Sequence, residues 1–233
     1  LMAKTISIGA QDFGALREMD CFYVDKTYFI KEWWGSLDAV TLITRPRRFG
    51  KTLNMSMIRY FFEKSEEDTS YLFKNLAIAQ DGEQYMKHQG QYPVISNTLK
   101  DIEASDYETA FTMFKSVITD EFERHSELLK SDKLKPRQKR RFESIYNDTA
   151  PDSEYTMALK LLSDCLYQVY QKKVIVLIDE YDVPLQNAYF QRYYDKMVKL
   201  IRSVFSNVLK TNTQIAFAVL TGCLRISKES IFT

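Results

Sequence analysis

The stretch Val40-Thr41-Leu42-Ile43-Thr44-Arg45-Pro46-Arg47-Arg48-Phe49-Gly50-Lys51-Thr52 decides how the fold is read. Its first five residues are β-prone, Pro46 and Gly50 interrupt the run, and Leu53, Met57, Tyr60 and Phe61 then recur on one helical face. That order is strand, phosphate loop, helix. In the full pattern G-x-x-x-x-G-K-[ST], backbone N–H groups cradle phosphates, the lysine reaches the β/γ-phosphates and the hydroxyl binds Mg²⁺. Gly50-Lys51-Thr52 match it, and Arg45 stands where the first glycine belongs. The matched triplet is common by chance. Its weight comes from the strand before it and the amphipathic helix after it, whose positive N-terminus would face an anion. The plain alternative is a basic surface turn. The candidate nucleotide-binding residues are Arg47, Arg48, Phe49, Gly50, Lys51, Thr52 and Leu53, with Thr52 also a candidate metal ligand.

Outward from there, the clearest strand is Val174-Ile175-Val176-Leu177-Ile178, a continuous apolar run of the kind buried on both sheet faces. Asp179 and Glu180 close it, at the strand end where open α/β sheets bind ligands. In that place an aspartate holds Mg²⁺ through its water shell and an adjacent glutamate orients or deprotonates the attacking water. A solvated turn or an acidic helix start is the competing reading. Two further strands are expected, near Tyr92–Ser96 and Ile215–Leu220. Thr221 ends the latter and is read equally well as a γ-phosphate sensor or an ordinary strand-end hydroxyl. Arg225 could clamp developing phosphate charge or be a solvated arginine.

Helical spacing recurs through Tyr107–Leu129 and Tyr155–Tyr170, and a long helix is expected at about 190–210 with Met197, Ile201, Val204, Phe205 and Val208 inward. Strands alternating with helices predict an α/β fold with a mainly parallel sheet flanked by helices. The expected organisation is one domain over 1–233. It has an N-terminal flank at 1–38, including a short helix from Thr27 to Trp34, and a mostly helical insertion at about 101–173. The stretch 64–92 is polar and carries no clear pattern. Glu229–Thr233 carries no polar tail, so the chain reads as the front part of something longer.

Composition narrows the classes. A hydrophobic fraction of 45% and a charged fraction of 27% are those of an ordinary folded domain. The net charge of +1 makes no global case for a polyanionic partner. Locally, Lys130, Lys133, Lys135, Arg137, Lys139, Arg140 and Arg141 face only Asp132, which is either a nucleic-acid footprint or a solvated face that interrupts the helices. Cys21, Cys165 and Cys223 are far apart without CxxC spacing, and His88 and His125 have no companion ligand, so neither a zinc site nor a disulfide framework is expected. No apolar run is long enough to span a bilayer, and a cytoplasmic setting fits the thiols. Trp33-Trp34 reads as packing more readily than as a base-stacking platform.

The combined residues Asp12-Phe13, Leu16-Arg17-Glu18, Tyr23-Val24-Asp25-Lys26-Thr27, Thr44–Met57, Leu177–Leu185 and Leu220–Phe232 resemble the AAA-ATPase-like family of bacterial proteins. The match runs through nearly the whole chain. The resemblance implies an ASCE-type P-loop NTPase fold, with the sensor strand between the Walker A and Walker B strands. It implies that Lys51 and Thr52 hold phosphate and Mg²⁺, that Asp179 is the metal aspartate and that Glu180 is the water-activating glutamate. It also makes arginine at 45 a family form. Members commonly carry a C-terminal domain similar to PD-(D/E)XK nucleases, so an effector domain beyond Thr233 is an expected partner.

The function expected is ATP binding with Mg²⁺-dependent hydrolysis, with Glu180, Lys51 and Arg225 as the catalytic set. The runner-up is a nucleotide-gated binding module with little turnover, motivated by the missing first glycine, and the third is a nucleic-acid module driven by Lys130–Arg141. An oligomer is compatible with each.

Overall fold

The structure, a computed structural model, describes residues 4–36, 38–210 and 212–223. In chain order the elements are α1 (Phe13–Glu18), α2 (Tyr28–Ser36), β1 (Val40–Thr44), α3 (Lys51–Phe62), α4 (Ala77–Gln80), α5 (Glu83–Met86) and β2 (Val94–Thr98). There follow α6 (Tyr107–Arg124), α7 (Pro136–Tyr146), α8 (Asp152–Tyr155), α9 (Ala158–Tyr170), β3 (Val174–Asp179), α10 (Val183–Phe190), α11 (Tyr194–Phe205) and β4 (Ile215–Gly222). The chain forms two compact units, Leu1–Ala39 with Arg47–Val94, and Val40–Pro46 with Ile95–Thr233.

The second unit holds the sheet, in the order β1-β4-β3-β2, with β1 and β3 each pairing parallel with β4. This is an α/β fold. All six residues of β3 are buried, because an inner parallel strand is covered on both faces. The register sets Ile178 opposite Leu220 and Ile43 opposite Thr221, so the carboxyl ends of three strands finish level. The core gathers Phe114, Phe122, Phe142, Leu162, Phe205 and, from β3, Val174, Val176 and Ile178. Met197, Ile201, Val204, Phe205 and Val208 all point into it.

Several helix limits differ from expectation for local reasons. The helix expected at 190–210 is α11, continued by a π-helical turn at Ser206–Lys210, and the unexpected α10 precedes it, separated where Arg192 takes φ +64°. Pro184 sits in the first turn of α10, where its missing N–H leaves no bond unmade. Helix α6 stops at Arg124, and a 3-10 turn follows at Ser126–Lys130. The basic stretch interrupts the helices only over residues 131–135, because Pro136 opens α7 inside it.

A buried polar cluster stitches this unit together. Glu121 accepts from Ser96 N–H of β2 at 2.9 Å and from Arg124 Nη2 at 2.7 Å, and lies 3.3 Å from His125 Nε2. Burial alone would lower the imidazole pKa, but hydrogen bonds to Glu121 and Glu127 outweigh it and raise it to about 9. His125 is therefore a cation at neutral pH, and this polar side chain is structural.

In the first unit the residues ahead of β1 are tied down by their own motifs. Asp12 caps α1 through Ala15 N–H at 2.7 Å and accepts from the Tyr60 hydroxyl of α3 at 3.2 Å. Phe13 N–H donates to Ser56 Oγ at 3.0 Å, and the Phe13 ring stacks on Phe73. Asp25 accepts from Thr27 N–H and from Ala77 N–H at the start of α4, while Thr27 Oγ1 accepts from Ile78 N–H. Trp33 is buried, and Trp34 stacks on Phe62 and against His88. Both tryptophans are thus engaged in packing.

Candidate active site

The candidate carboxylates belong to the second unit and are held at the ends of β3 and β4. Because the strands pair in parallel with Ile178 beside Leu220, Asp179 comes beside Thr221. The buried Thr221 hydroxyl donates to Asp179 Oδ1 and accepts from Glu180 N–H at 3.1 Å. Tyr181 N–H donates to the Thr221 carbonyl at 3.0 Å, which carries the chain on past the strand end. One threonine thereby fixes the orientation of one carboxylate and the backbone of the next.

Glu180 takes φ +52°, a left-handed conformation that a non-glycine residue adopts only when its surroundings impose it. Here the impositions are the two hydrogen bonds on either side of it. Asp182 is fully buried and accepts from Gln186 Nε2 at 2.6 Å and from Cys223 N–H at 2.9 Å. Gly222 is the only residue type that fits between these groups, since a Cβ there would lie 2.8 Å from the Tyr181 ring and 3.0 Å from Asp182 Oδ1. Gly222, Tyr181 and Asp182 support the site without having been singled out as site residues. The available signal was a glycine directly after a polar strand-end residue.

In the second unit Arg45 N–H, just past β1, donates to Gly222 O at 3.2 Å, and the loop residues from Arg47 on belong to the first unit. Arg47, Arg48 and Phe49 are exposed, and Gly50 stands at the N-cap of α3 with φ +73°. No side chain caps α3 and no acid occupies its first turn, so an anion there would meet the undiminished positive end of a 12-residue helix. Lys51 is buried, and Thr52 and Leu53 are half-buried. The glycine missing at 45 leaves no strain behind, because Arg45 is not in the left-handed region. The loop's left-handed residues are Arg48, at φ +69°, and Gly50. Arg225 lies outside the described residues.

Among the described residues, no group of three His, Cys, Asp or Glu side chains is arranged to hold a metal ion. Mg²⁺ does not require one, since it keeps several waters and is commonly held by one carboxylate together with substrate phosphates. A buried, hydrogen-bonded Asp179 and the Thr52 hydroxyl are donors of the kind that ion takes. Among the described residues no helix is long and apolar enough to cross a membrane.

A family model described as a predicted AAA-ATPase matches residues 7–232. The chain is also 26% identical over 239 residues to a protein of Azotobacter chroococcum mcd 1 described as "Uncharacterized protein in vnfD 5'region". That alignment covers 99% of this chain and 39% of the relative, so the chain spans well under half of the relative's length. No solved structure matches the chain at a significant level.

Proposed function

From the chain's membership of the AAA-ATPase-like family, we infer that it binds ATP with Mg²⁺ and hydrolyses it, in an ASCE-type P-loop site. The observation that carries the reading is the Asp179–Thr221–Glu180 arrangement, two acids at a parallel strand end held by one buried hydroxyl. The position of β4 between β1 and β3 supports it as well.

In this reading the α3 N-terminus and Lys51 bind the β- and γ-phosphates, and Arg47 and Arg48 add planar donors that suit phosphate oxygens. Thr52 and Asp179 would hold Mg²⁺, which when bound neutralises charge on the bridging and γ-phosphate oxygens. Thr221 holds the Asp179 carboxylate through its hydroxyl. Glu180 accepts a hydrogen bond from the attacking water and aligns it with the γ-phosphorus, and its left-handed backbone sets the direction of the carboxylate. Arg225 would supply a further positive charge to the transferring group. No covalent protein intermediate is needed, and positioning with charge stabilisation accounts for the rate.

The test compares wild type with Glu180→Gln for ATP affinity and for phosphate release. Retained affinity with release reduced by roughly 100-fold or more, from the lower bound of the roughly 10²–10⁴-fold that a positioned acid or base contributes, supports the ATPase. Equal release from both proteins overturns the role of Glu180. Tight binding without release from either protein indicates a nucleotide-gated module instead.

A further inference from the structure

The basic run at Lys130–Arg141 holds a local charge of +6 in a chain whose net charge is +1. The structure divides its seven cations into two sets. Lys133 Nζ donates to Val169 O at 3.3 Å near the end of α9, and Arg141 forks onto Glu154, with Nη2 at 2.7 Å. Those two are used in packing. Among the described residues, no carboxylate lies at ion-pair distance from Lys130, Lys135, Arg137, Lys139 or Arg140. Four of these five are exposed and Lys139 is half-buried.

Their placement is electrostatically adverse for the chain alone. Helix α7 has no acid in its first turn, yet Arg137 and Lys139 sit there and Arg140 directly after, at the end of the helix where cations are disfavoured. The turn Ser126–Lys130 packs against α7 and adds Lys130 to the same region. Such a concentration of like charge is relieved by an anionic partner.

The surroundings select which kind of anion. Leu134, Phe142 and Ile145 beside the cations are buried, Leu129 and Tyr146 are half-buried, and no large hydrophobic residue between 114 and 188 is exposed. A membrane-surface helix would need an exposed apolar face, a protein interface would need an aromatic or aliphatic anchor, and a single-strand site would need rings for base stacking. Charge alone remains, which is the requirement for contacting a duplex phosphate backbone. We propose that Lys130, Lys135, Arg137, Lys139 and Arg140 form a sequence-independent docking surface for double-stranded nucleic acid. It is independent of the nucleotide site.

The experiment measures fluorescence anisotropy of two labelled 20-base-pair DNA duplexes of unrelated sequence against the full chain, from 50 to 200 mM salt. Arg137→Gln/Arg140→Gln is run in parallel, and since both side chains are exposed and make no hydrogen bond or ion pair among the described residues its melting curve should match wild type. Five phosphate contacts give a log–log salt slope of about −4.5, which is roughly a 500-fold loss of affinity across that range; the double variant should lower the slope to about −2.7 and weaken both duplexes equally. No binding at 50 mM salt, or an unchanged slope in the variant, overturns the proposal. So does preferential binding to single strands, to phosphatidylserine vesicles or to polyglutamate. Lys51→Ala should bind duplex like wild type, so failure here is separable from failure of the ATPase reading.

Discussion

Replacing Thr221 by valine keeps the side chain's shape and removes the hydroxyl that joins Asp179 to the Glu180 backbone. Two hydrogen bonds are lost at a fully buried position. A bond to a charged group contributes about 1.5–3 kcal/mol and a neutral one about 0.5–1.5, so the variant should be destabilised by about 2–4 kcal/mol. Thr221→Ser keeps both bonds and loses one buried methyl, at about 1 kcal/mol. Because Thr221 orients a metal aspartate in this account, Thr221→Val should also slow Mg²⁺-dependent phosphate release by about 10–100-fold, while serine stays near wild type. Urea unfolding and a phosphate-release assay on the three proteins give both numbers. If valine and serine variants are equally stable and equally active, the hydroxyl bridge does not organise the site and the reasoning fails.

Two other outcomes follow from buried and strained groups. His125 has its pKa raised from 6.5 to about 9, which at ~1.4 kcal/mol per pH unit is on the order of 3–4 kcal/mol of stabilisation. That contribution is fully present below pH 6.5 and is lost as pH rises through about 9, so the urea midpoint should fall between pH 6 and 9.5 in wild type and stay flatter in His125→Gln. For Glu180, relief of a left-handed backbone by Glu180→Gly should stabilise the fold by roughly 1 kcal/mol while phosphate release is lost, and Glu180→Ala should lose release without the gain.

The strands were legible because their sequences leave no choice. Six consecutive residues from Val174 to Asp179 are buried, and an unbroken apolar run before an acid cannot be an amphipathic helix. The placement of Asp179 and Glu180 at a strand end could be read for the same reason. The bridge through Thr221 could not, since it depends on β4 pairing beside β3, a tertiary choice that strand periodicity does not record. Concern over Arg45 was likewise misplaced: the left-handed backbone falls three residues later at Arg48, and sequence alone does not say which loop position turns. Helix α10 was missed because its apolar residues Val183, Pro184, Leu185 and Ala188 follow no strong stripe. Asp12, Asp25 and Thr27 were noticed as parts of a resemblance, and the structure supplies their physical role as caps and clips on α1, α3 and α4.

If Lys51 and Mg²⁺ are what bind ATP and let it turn over, removing either should abolish phosphate release. The most direct measurement is ATP binding and phosphate release by wild type and Lys51→Ala, each with Mg²⁺ and with EDTA. Wild type should release phosphate only with Mg²⁺, with affinity reduced and release abolished in Lys51→Ala. Unchanged affinity and release in Lys51→Ala would contradict that role for Lys51.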